Sequence, residues 1–310
     1  MNLIRSDRTV RVLFLAIILI IIMGSLRPNT TSGMYEKRFW VNKISWQNYA
    51  DVVIIGDSRT LLGISPAQMQ KILKNRQIVN YAFGVGNIYL SEYLDSVEGV
   101  LKQESDRKTI ILGITPHSLS DDPDFTSQFF MLKNLSKQEI FIDVHFAAII
   151  DFFEYMSFHD ALLGISPGLA SSKTHRDLFS DGWLAYGKNP PGKKNELKEY
   201  LRIYERCQVS PKMIENIMSY ISRWNKSGIR VYGFLLPTCT QMVELEKELS
   251  GFNQAEFIKA FEKAGGIWIK INPAGYESFD GSHLQWESAL RLSRELASRI
   301  DEIESENSQH

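Results

Sequence analysis

The sequence has little cysteine, little histidine and almost no net charge, and each shortage narrows the possible functions. Its 310 residues include two cysteines and six histidines, and the formal net charge is −1 at pH 7. A near-neutral chain lacks the basic field with which proteins attract nucleic acids, so no nucleic-acid partner is expected. Cys207 and Cys239 do not have the spacing of a metal site, and they could form one disulfide or remain thiols. The sequence therefore predicts neither a metal nor a cofactor.

The sequence also lacks internal repeats, which excludes a solenoid or a propeller. Hydrophobic residues make up 44% of the chain and charged residues 23%, as in an ordinary globular domain. A chain of this length can bury one sizeable core, or one domain with an insertion.

The long apolar run lies near the N-terminus, at residues 12–26, where no residue is charged. Three arginines and one acid come before it: Arg5, Arg8, Arg11 and Asp7. The run is shorter than the ~20 residues of a usual spanning helix, but Val10 and a snorkelling arginine lengthen it. A cleaved signal peptide is the alternative, although the residues around Gly24 fit a cleavage site poorly. We expect an anchor over residues 1–27 in the cytoplasmic membrane, with the N-terminus inside and the remaining chain outside, in the periplasm or beyond the cell.

An α/β pattern follows. Strands are predicted at residues 51–56, 78–80, 109–114, 229–236 and 267–271. Helices are predicted at 66–74, 88–103, 210–226, 244–249, 254–264 and 287–303. Helices between successive strands imply right-handed crossovers and a parallel sheet. The predicted fold is a three-layer α/β/α domain with a parallel five-stranded sheet, flavodoxin-like, together with one N-terminal transmembrane helix.

The alternation of strands and helices is interrupted at residues 118–209. This interruption predicts an insertion in a domain spanning residues 49–303. The insertion is expected to be helical, at residues 141–158 in particular, and either to line a groove above the sheet or simply to pack on the fold. Trp183 within it would suit stacking on a sugar if exposed, whereas a buried tryptophan is the alternative. Two further segments are predicted to be a linker (28–48) and a frayed polar tail (304–310).

The first predicted strand ends in a small polar turn. The β-branched run Val52–Ile55 is followed by Gly56, Asp57 and Ser58. A serine in this strand-to-helix turn lies at the carboxyl end of the sheet, where open α/β folds build their sites. The alternative is a serine that only caps the next helix. Asp57 is predicted to be a turn residue whose side chain bonds the backbone.

A second polar turn precedes the last predicted helix and contains Asp280 and His283. An aspartate and a histidine three positions apart on a turn can point to one place. His283 can then accept the proton of Ser58 while Asp280 orients the ring. A histidine that merely caps the helix or lies on the surface is the alternative.

The two turns together resemble the SGNH/GDSL hydrolase family, whose first block is Gly-Asp-Ser and whose last block is Asp-x-x-His. The resemblance covers roughly residues 50–300 and implies an SGNH hydrolase-like fold. It also implies a triad of Ser58, Asp280 and His283. The oxyanion donors it implies are the backbone N–H groups of Ser58 and Gly84, the latter in the place of the second block.

The third block of the family departs from its pattern, because Thr115 stands where an oxyanion-binding asparagine is expected. A threonine hydroxyl is a shorter substitute, and the proline that follows removes a backbone donor. His117 could supply a further donor near the substrate. Arg59 could meet an anionic substrate, although a surface ion pair is the alternative.

With its anchor and its altered third block, the sequence is similar to the bacterial envelope branch of the family, which acts in D-alanine transfer and in polysaccharide O-acetylation. This resemblance implies transfer or removal of an acyl group, acetyl above all, on a cell-envelope polysaccharide, beside a membrane-bound O-acyltransferase. Two alternatives remain open at this stage. One is a catalytically impaired scaffold or polysaccharide-binding partner, and the other is an intracellular α/β binding protein with a chance serine turn.

Overall fold

The computed structural model describes residues 2–25, 33–84, 88–121, 126–153, 174–190 and 196–307. The chain forms two compact units. One contains Met1–Ser45 and Asn134–Ser172, and the other contains Trp46–Lys133 and Lys173–His310. Helices and strands are numbered below in chain order across both units.

The first unit is helical. Its described helices are α1 (Asn2–Ser25), α2 (Gly33–Ser45), α7 (Lys137–His145) and α8 (Ala147–Phe153). Helix α1 contains a segment, Arg8–Ser25, that is long and apolar enough to cross a membrane, and most of its side chains are exposed. Helix α8 packs along α1, and α7 packs along α2. The predicted linker at residues 28–48 is therefore wrong over α2, which is an ordered helix.

The second unit contains a five-stranded sheet. Its strands are β1 (Val52–Gly56), β2 (Ile78–Asn80), β3 (Thr109–Ile114), β6 (Arg230–Leu235) and β7 (Ile267–Trp268). They lie in the order β2-β1-β3-β6-β7, and every neighbouring pair is parallel. The predicted parallel sheet is confirmed, and its strand order is that of flavodoxin-like folds. The order reverses between β1 and β3, which is the point where such sheets carry their ligand crevice.

Nine α-helices are described in this unit. They are α3 (Ser58–Gly63), α4 (Pro66–Gln70), α5 (Ser91–Val100), α6 (Gln128–Leu132), α9 (Glu196–Arg206), α10 (Pro211–Lys226), α11 (Thr240–Leu249), α12 (Gln254–Lys263) and α13 (Trp286–Asn307). Most end within a few residues of the predicted bounds. The first predicted helix is interrupted after α4, and residues 71–74 are not helical.

The sheet is buried on both faces because the central positions of its strands are apolar, and polar residues occur only at strand ends, at Asn80, Thr109 and Arg230. Ile54 and Ile111 pack with Leu292 and Leu296 of α13 on one face. The alternating side chains point to the other face and are equally buried: Val53, Ile55, Ile110 and Leu112. A continuous run of β-branched residues, rather than an alternating one, is what a two-sided parallel sheet requires.

The predicted helical insertion is partly wrong. Residues 174–188 form an antiparallel hairpin of β4 (Thr174–Leu178) and β5 (Leu184–Lys188). Its turn needs a glycine, because Gly182 has φ +88° and a Cβ there would lie 2.1 Å from the carbonyl oxygen of Asn80. Helices α7 and α8 confirm helical structure at residues 141–153, while residues 154–158 of that prediction lie outside the described residues.

The predicted frayed tail is also wrong as far as residue 307, because α13 continues through it. Glu304 is buried there and accepts hydrogen bonds from the guanidinium of Arg76, one at 3.0 Å. Burial alone would raise the pKa of Glu304, but the bonds and charge of Arg76 hold it below its usual value. The end of the helix is thus tied to the segment that leads into β2.

Candidate active site

The turn after β1 depends on Gly56. Its φ of +153° is one that other residues rarely adopt, and a Cβ there would lie 2.1 Å from Thr60 Oγ1 and 2.8 Å from the carbonyl oxygen of Gly113. Asp57 caps the following helix, α3, by accepting a hydrogen bond from the backbone N–H of Arg59. The prediction that Asp57 is a turn residue is confirmed. Ser58 then begins α3 at the carboxyl end of β1.

The structure brings together the three side chains of the predicted triad. Ser58 Oγ lies 2.9 Å from His283 Nε2, although the residues are 225 positions apart. His283 Nδ1 lies 2.8 Å from Asp280 Oδ2. These are hydrogen-bond distances on both sides of one imidazole ring, in the order nucleophile, base and carboxylate.

The two contacts of His283 fix its tautomer. A carboxylate can only accept, so Nδ1 carries the proton that it donates to Asp280. Nε2 then presents its lone pair to the hydroxyl proton of Ser58. Burial alone would raise the pKa of Asp280, but the hydrogen bond and charge of His283 and the N–H of Ser282 hold it below its usual value. Asp280 therefore stays ionised at neutral pH and can stabilise an imidazolium.

The turn that carries the base is fixed by its own backbone. Asp280 Oδ1 accepts hydrogen bonds from the backbone N–H groups of Ser282, at 2.9 Å, and His283, at 2.8 Å. The ring of Phe279 lies nearly parallel to the imidazole, with centroids 5.8 Å apart. Both side chains of the Asp-His pair are thus restrained before any substrate binds.

Asn80 supports the helix that Ser58 begins, and its only sequence signal is that of a polar residue ending a strand. It is fully buried at the end of β2. Its Nδ2 donates to the carbonyl oxygens of Thr60, at 3.0 Å, and Ile64, at 2.9 Å, and its Oδ1 accepts from the N–H of Ala82. The amide therefore holds the carboxyl end of α3, the helix that Ser58 begins.

The backbone N–H of Ser58 and that of Gly84 differ in availability. Within the described part of the chain, no acceptor contacts the N–H of Ser58. The segment before Gly84 runs beside β1, since the N–H of Phe83 donates to the carbonyl oxygen of Gly56 at 3.2 Å. The N–H of Gly84, however, donates to Gln128 Oε1 at 2.8 Å. An amide oxygen of the protein thus occupies this donor, which sequence reasoning did not foresee.

The expectation that Thr115 donates to an oxyanion is wrong in this structure. Its hydroxyl is buried and donates its single proton to Asp57 Oδ2. Thr115 Oγ1 also accepts a hydrogen bond from the backbone N–H of Ser118 at 2.9 Å. Thr115 therefore fastens the helix cap beside the nucleophile rather than facing a substrate.

The predicted surface ion pair of Arg59 is wrong, because the side chain is only 2% exposed. Its Nε donates to Ser282 Oγ at 2.8 Å, and its Nη2 lies 2.7 Å from Glu246 Oε1. Its guanidinium also covers the ring of Tyr200, 4.8 Å from the centroid. Burial raises the pKa of Tyr200 to about 12, so its hydroxyl stays protonated. Arg59 is thus held by contacts within the protein, and it also lines a cavity together with Ile114 and Pro116.

His117 and Trp183 are also buried, at 4% exposure each. His117 packs edge-on against Tyr200, with centroids 5.3 Å apart. Trp183 stacks on Phe179 and donates its indole N–H to the carbonyl oxygen of Leu62 at 2.9 Å. The buried alternative for Trp183 is therefore confirmed and the sugar-stacking alternative is wrong, since its ring packs the hairpin β4–β5 against α3.

In the described ranges, no three His, Cys, Asp or Glu side chains come together as a metal site. Cys207 and Cys239 are not joined by a disulfide. Compared with models of protein families and with curated proteins, the chain matches none. What the protein does is therefore inferred from the contacts described above.

Proposed function

We propose that the protein is a serine-dependent esterase or O-acyltransferase, anchored in the cytoplasmic membrane and acting on an acyl ester of a cell-envelope polysaccharide. The observation that carries the proposal is the unbroken chain of contacts from Ser58 Oγ through His283 to Asp280, at 2.9 Å and 2.8 Å. A hydroxyl bonded to an imidazole that is itself held by a carboxylate is the arrangement of an activated nucleophile.

In the first step, Ser58 Oγ attacks the carbonyl carbon of the ester while its proton moves to His283 Nε2. The tetrahedral intermediate carries a negative oxygen, which the N–H of Ser58 can stabilise. The C–O bond to the alcohol then breaks, and the alcohol leaves with the proton from His283. The acyl group remains on Ser58 as an ester, and Asp280 stabilises the transient imidazolium.

In the second step, a hydroxyl of a polysaccharide, or water, donates its proton to His283 Nε2 and attacks the acyl carbon. Breaking the bond to Ser58 Oγ returns the proton to the serine. A polysaccharide acceptor makes the protein a transferase, and water makes it a hydrolase. Both outcomes use the same groups in the same order.

The membrane part of the proposal is supported by α1, whose segment Arg8–Ser25 is long and apolar enough to span a bilayer. The arginines before it favour an N-terminus inside the cell. The polysaccharide and a membrane-bound O-acyltransferase partner follow from the resemblance to the envelope branch of the SGNH/GDSL family. The resemblance to the family rests on Gly56-Asp57-Ser58 and Asp280–His283 in that family's order.

A second candidate function is a scaffold that retains the fold without turnover. Two observations favour it, since the N–H of Gly84 is bonded to Gln128 and the hydroxyl of Thr115 to Asp57. Two donors that the resemblance implies are thereby engaged within the protein. Losing one oxyanion donor typically costs about 10²–10³ in rate, so these contacts bear directly on turnover.

Labelling with a fluorophosphonate probe tests the proposed function. Ser58 Oγ should attack phosphorus, fluoride should leave, and mass analysis should find one adduct on the intact chain and place it on the peptide that contains Ser58. His283→Gln removes the base and should slow labelling by about 10²–10⁴-fold. His175→Gln, at an exposed hairpin histidine, is the matched control and should label at the normal rate. An unlabelled native chain would favour the scaffold instead.

The contact between Gln128 and Gly84 predicts that Gln128 restrains activity. Its Oε1 occupies the N–H that an oxyanion would use, so Gln128→Ala should free that donor. Because one such hydrogen bond contributes about 1 kcal/mol, ester cleavage should rise by roughly fivefold. The rates of p-nitrophenyl acetate cleavage by the two chains measure this effect. Gln70→Ala, on the exposed surface of α4, is the control. A slower Gln128→Ala variant would contradict this role.

A further inference from the structure

The described helices of the first unit leave a group of large apolar side chains uncovered. Five of them lie on α7, on α8 and at the residue between them: Phe141, Ile142, Phe146, Phe152 and Phe153. Their exposed fractions run from 36% for Phe152 to 72% for Phe153. Four are aromatic, and Phe152 and Phe153 also contact each other, with centroids 5.0 Å apart. We call these five side chains the phenylalanine patch.

The phenylalanine patch is continuous with the candidate membrane span. The backbones of α1 and α8 touch, because a Cβ on Gly24 would lie 1.8 Å from the carbonyl oxygen of Ala148. The apolar segment Arg8–Ser25 is about 27 Å long at the rise of an α-helix, close to the thickness of the hydrocarbon core. Gly24 therefore lies near one edge of that core, and Ala148 lies at the same depth.

The carboxylates of α7 and α8 are paired with cations, as is required of acids placed near the edge of the hydrocarbon core. Asp151, the acid of α8, accepts two hydrogen bonds from the guanidinium of Arg38, one at 2.9 Å. Asp143 of α7 pairs with Lys37 at 2.8 Å. Both carboxylates are thus neutralised by cations of α2, which reduces the cost of placing them near lipid. The exposed polar side chains of α7 are those of its first turn, at residues 137–139, and His145 in its last turn, whose ring lies 4.5 Å from that of Phe141.

From these observations we propose that α7 and α8 form a second membrane contact, in which the phenylalanine patch inserts into the lipid at the Ser25 end of α1. Aromatic side chains on a short helix at this boundary bury about 5–10 Å into the region between headgroups and acyl chains. The partner is the bilayer itself. The contact rests on α1 spanning the membrane, but it is independent of the chemistry at Ser58.

Site-directed spin labelling of the full chain in nanodiscs of phosphatidylethanolamine and phosphatidylglycerol tests this contact. Cys207 and Cys239 are first replaced by serine, and one cysteine is then introduced by Phe153→Cys, Leu15→Cys or Leu201→Cys. Leu15 reports on α1, and Leu201, which is exposed on α9, is the control in water. Labels at positions 15 and 153 should collide more with oxygen than with a water-soluble nickel complex. The label at 201 should show the reverse.

The outcomes separate the two membrane claims. A label at position 15 that is exposed to lipid, with a label at position 153 that is exposed to water, would support the anchor and overturn the second contact. Labels exposed to water at both positions would overturn the anchor and the second contact. A label at 153 shielded from both reagents means that protein covers the patch, which also overturns lipid as the partner. Phe146→Cys provides a second reporter if the first variant does not fold, and ester cleavage in the same nanodiscs reports on Ser58 separately.

Discussion

Replacing Ser58 by alanine should lower the rate of ester cleavage by at least about 10³-fold, because it removes the atom that carries the acyl group in the proposed mechanism. Among the described residues the hydroxyl makes one side-chain hydrogen bond, with His283 Nε2, so its loss should leave the turn after β1 intact. We therefore expect an unchanged unfolding midpoint beside the lost activity. The release of acetate from p-nitrophenyl acetate by the full chain in nanodiscs measures the effect.

The control for this variant is Ser91→Ala, which removes an exposed hydroxyl on α5 that bonds to Asn216. Its rate should equal that of the native chain. Undiminished cleavage by Ser58→Ala would remove the covalent mechanism altogether. Equal losses in both variants would instead point to misfolded protein in the variant preparations.

Replacing Glu246 by alanine should lower the free energy of unfolding by about 3–5 kcal/mol, because it leaves a buried guanidinium without its carboxylate. Arg59 is 2% exposed, and its Nη2 lies 2.7 Å from Glu246 Oε1. Activity should fall as well, since Arg59 follows the nucleophile directly and bonds Ser282, the neighbour of the base. Urea unfolding followed by circular dichroism, with the kcat for ester cleavage, measures both effects.

Two further variants make this result specific. Glu248→Ala removes an exposed carboxylate from the same helix, α11, and should change stability by less than about 0.5 kcal/mol. Arg59→Met combined with Glu246→Met replaces both charges with apolar side chains and should be less destabilising than Glu246→Ala alone. A Glu246→Ala chain as stable as the native one would show that Arg59 finds water or another acceptor.

The sheet could be predicted from the sequence because its signal is local. The strands of a parallel sheet with two covered faces are continuous apolar runs, and β1, β3 and β6 each have one. The triad could also be predicted, since the carboxyl ends of parallel strands share one edge. The turn after β1 places Ser58 there, and His283 lies on the turn before the last helix.

The hairpin β4–β5 could not be predicted, because β4 has no apolar run and that of β5 is short. The segment Thr174–Leu178 contains a histidine, an arginine and an aspartate, and it pairs with β5 through backbone bonds. Tertiary contacts of the turn also hold it, since the N–H of Asn80 donates to the carbonyl oxygen of Asp181 at 2.8 Å. Strand propensity of this kind depends on context more than on composition.

The contacts around the triad were missed for a different reason. Arg59 and Gln128 are polar residues with no periodicity, and their partners Glu246 and Gly84 are distant in the sequence. Which residue meets which depends on the packing of α6 and α11. A single sequence does not encode that packing as a readable pattern, so the engagement of the Gly84 N–H is visible only in three dimensions.

The separation of 225 residues between Ser58 and His283 also sets the moment at which the protein becomes reactive. During synthesis the serine leaves the ribosome long before the imidazole does, and a hydroxyl without a base is inert towards esters. Under the proposed mechanism, the nascent polypeptide therefore cannot acylate itself while it is being made. The proposed chemistry can begin only after the last helix has docked on the sheet.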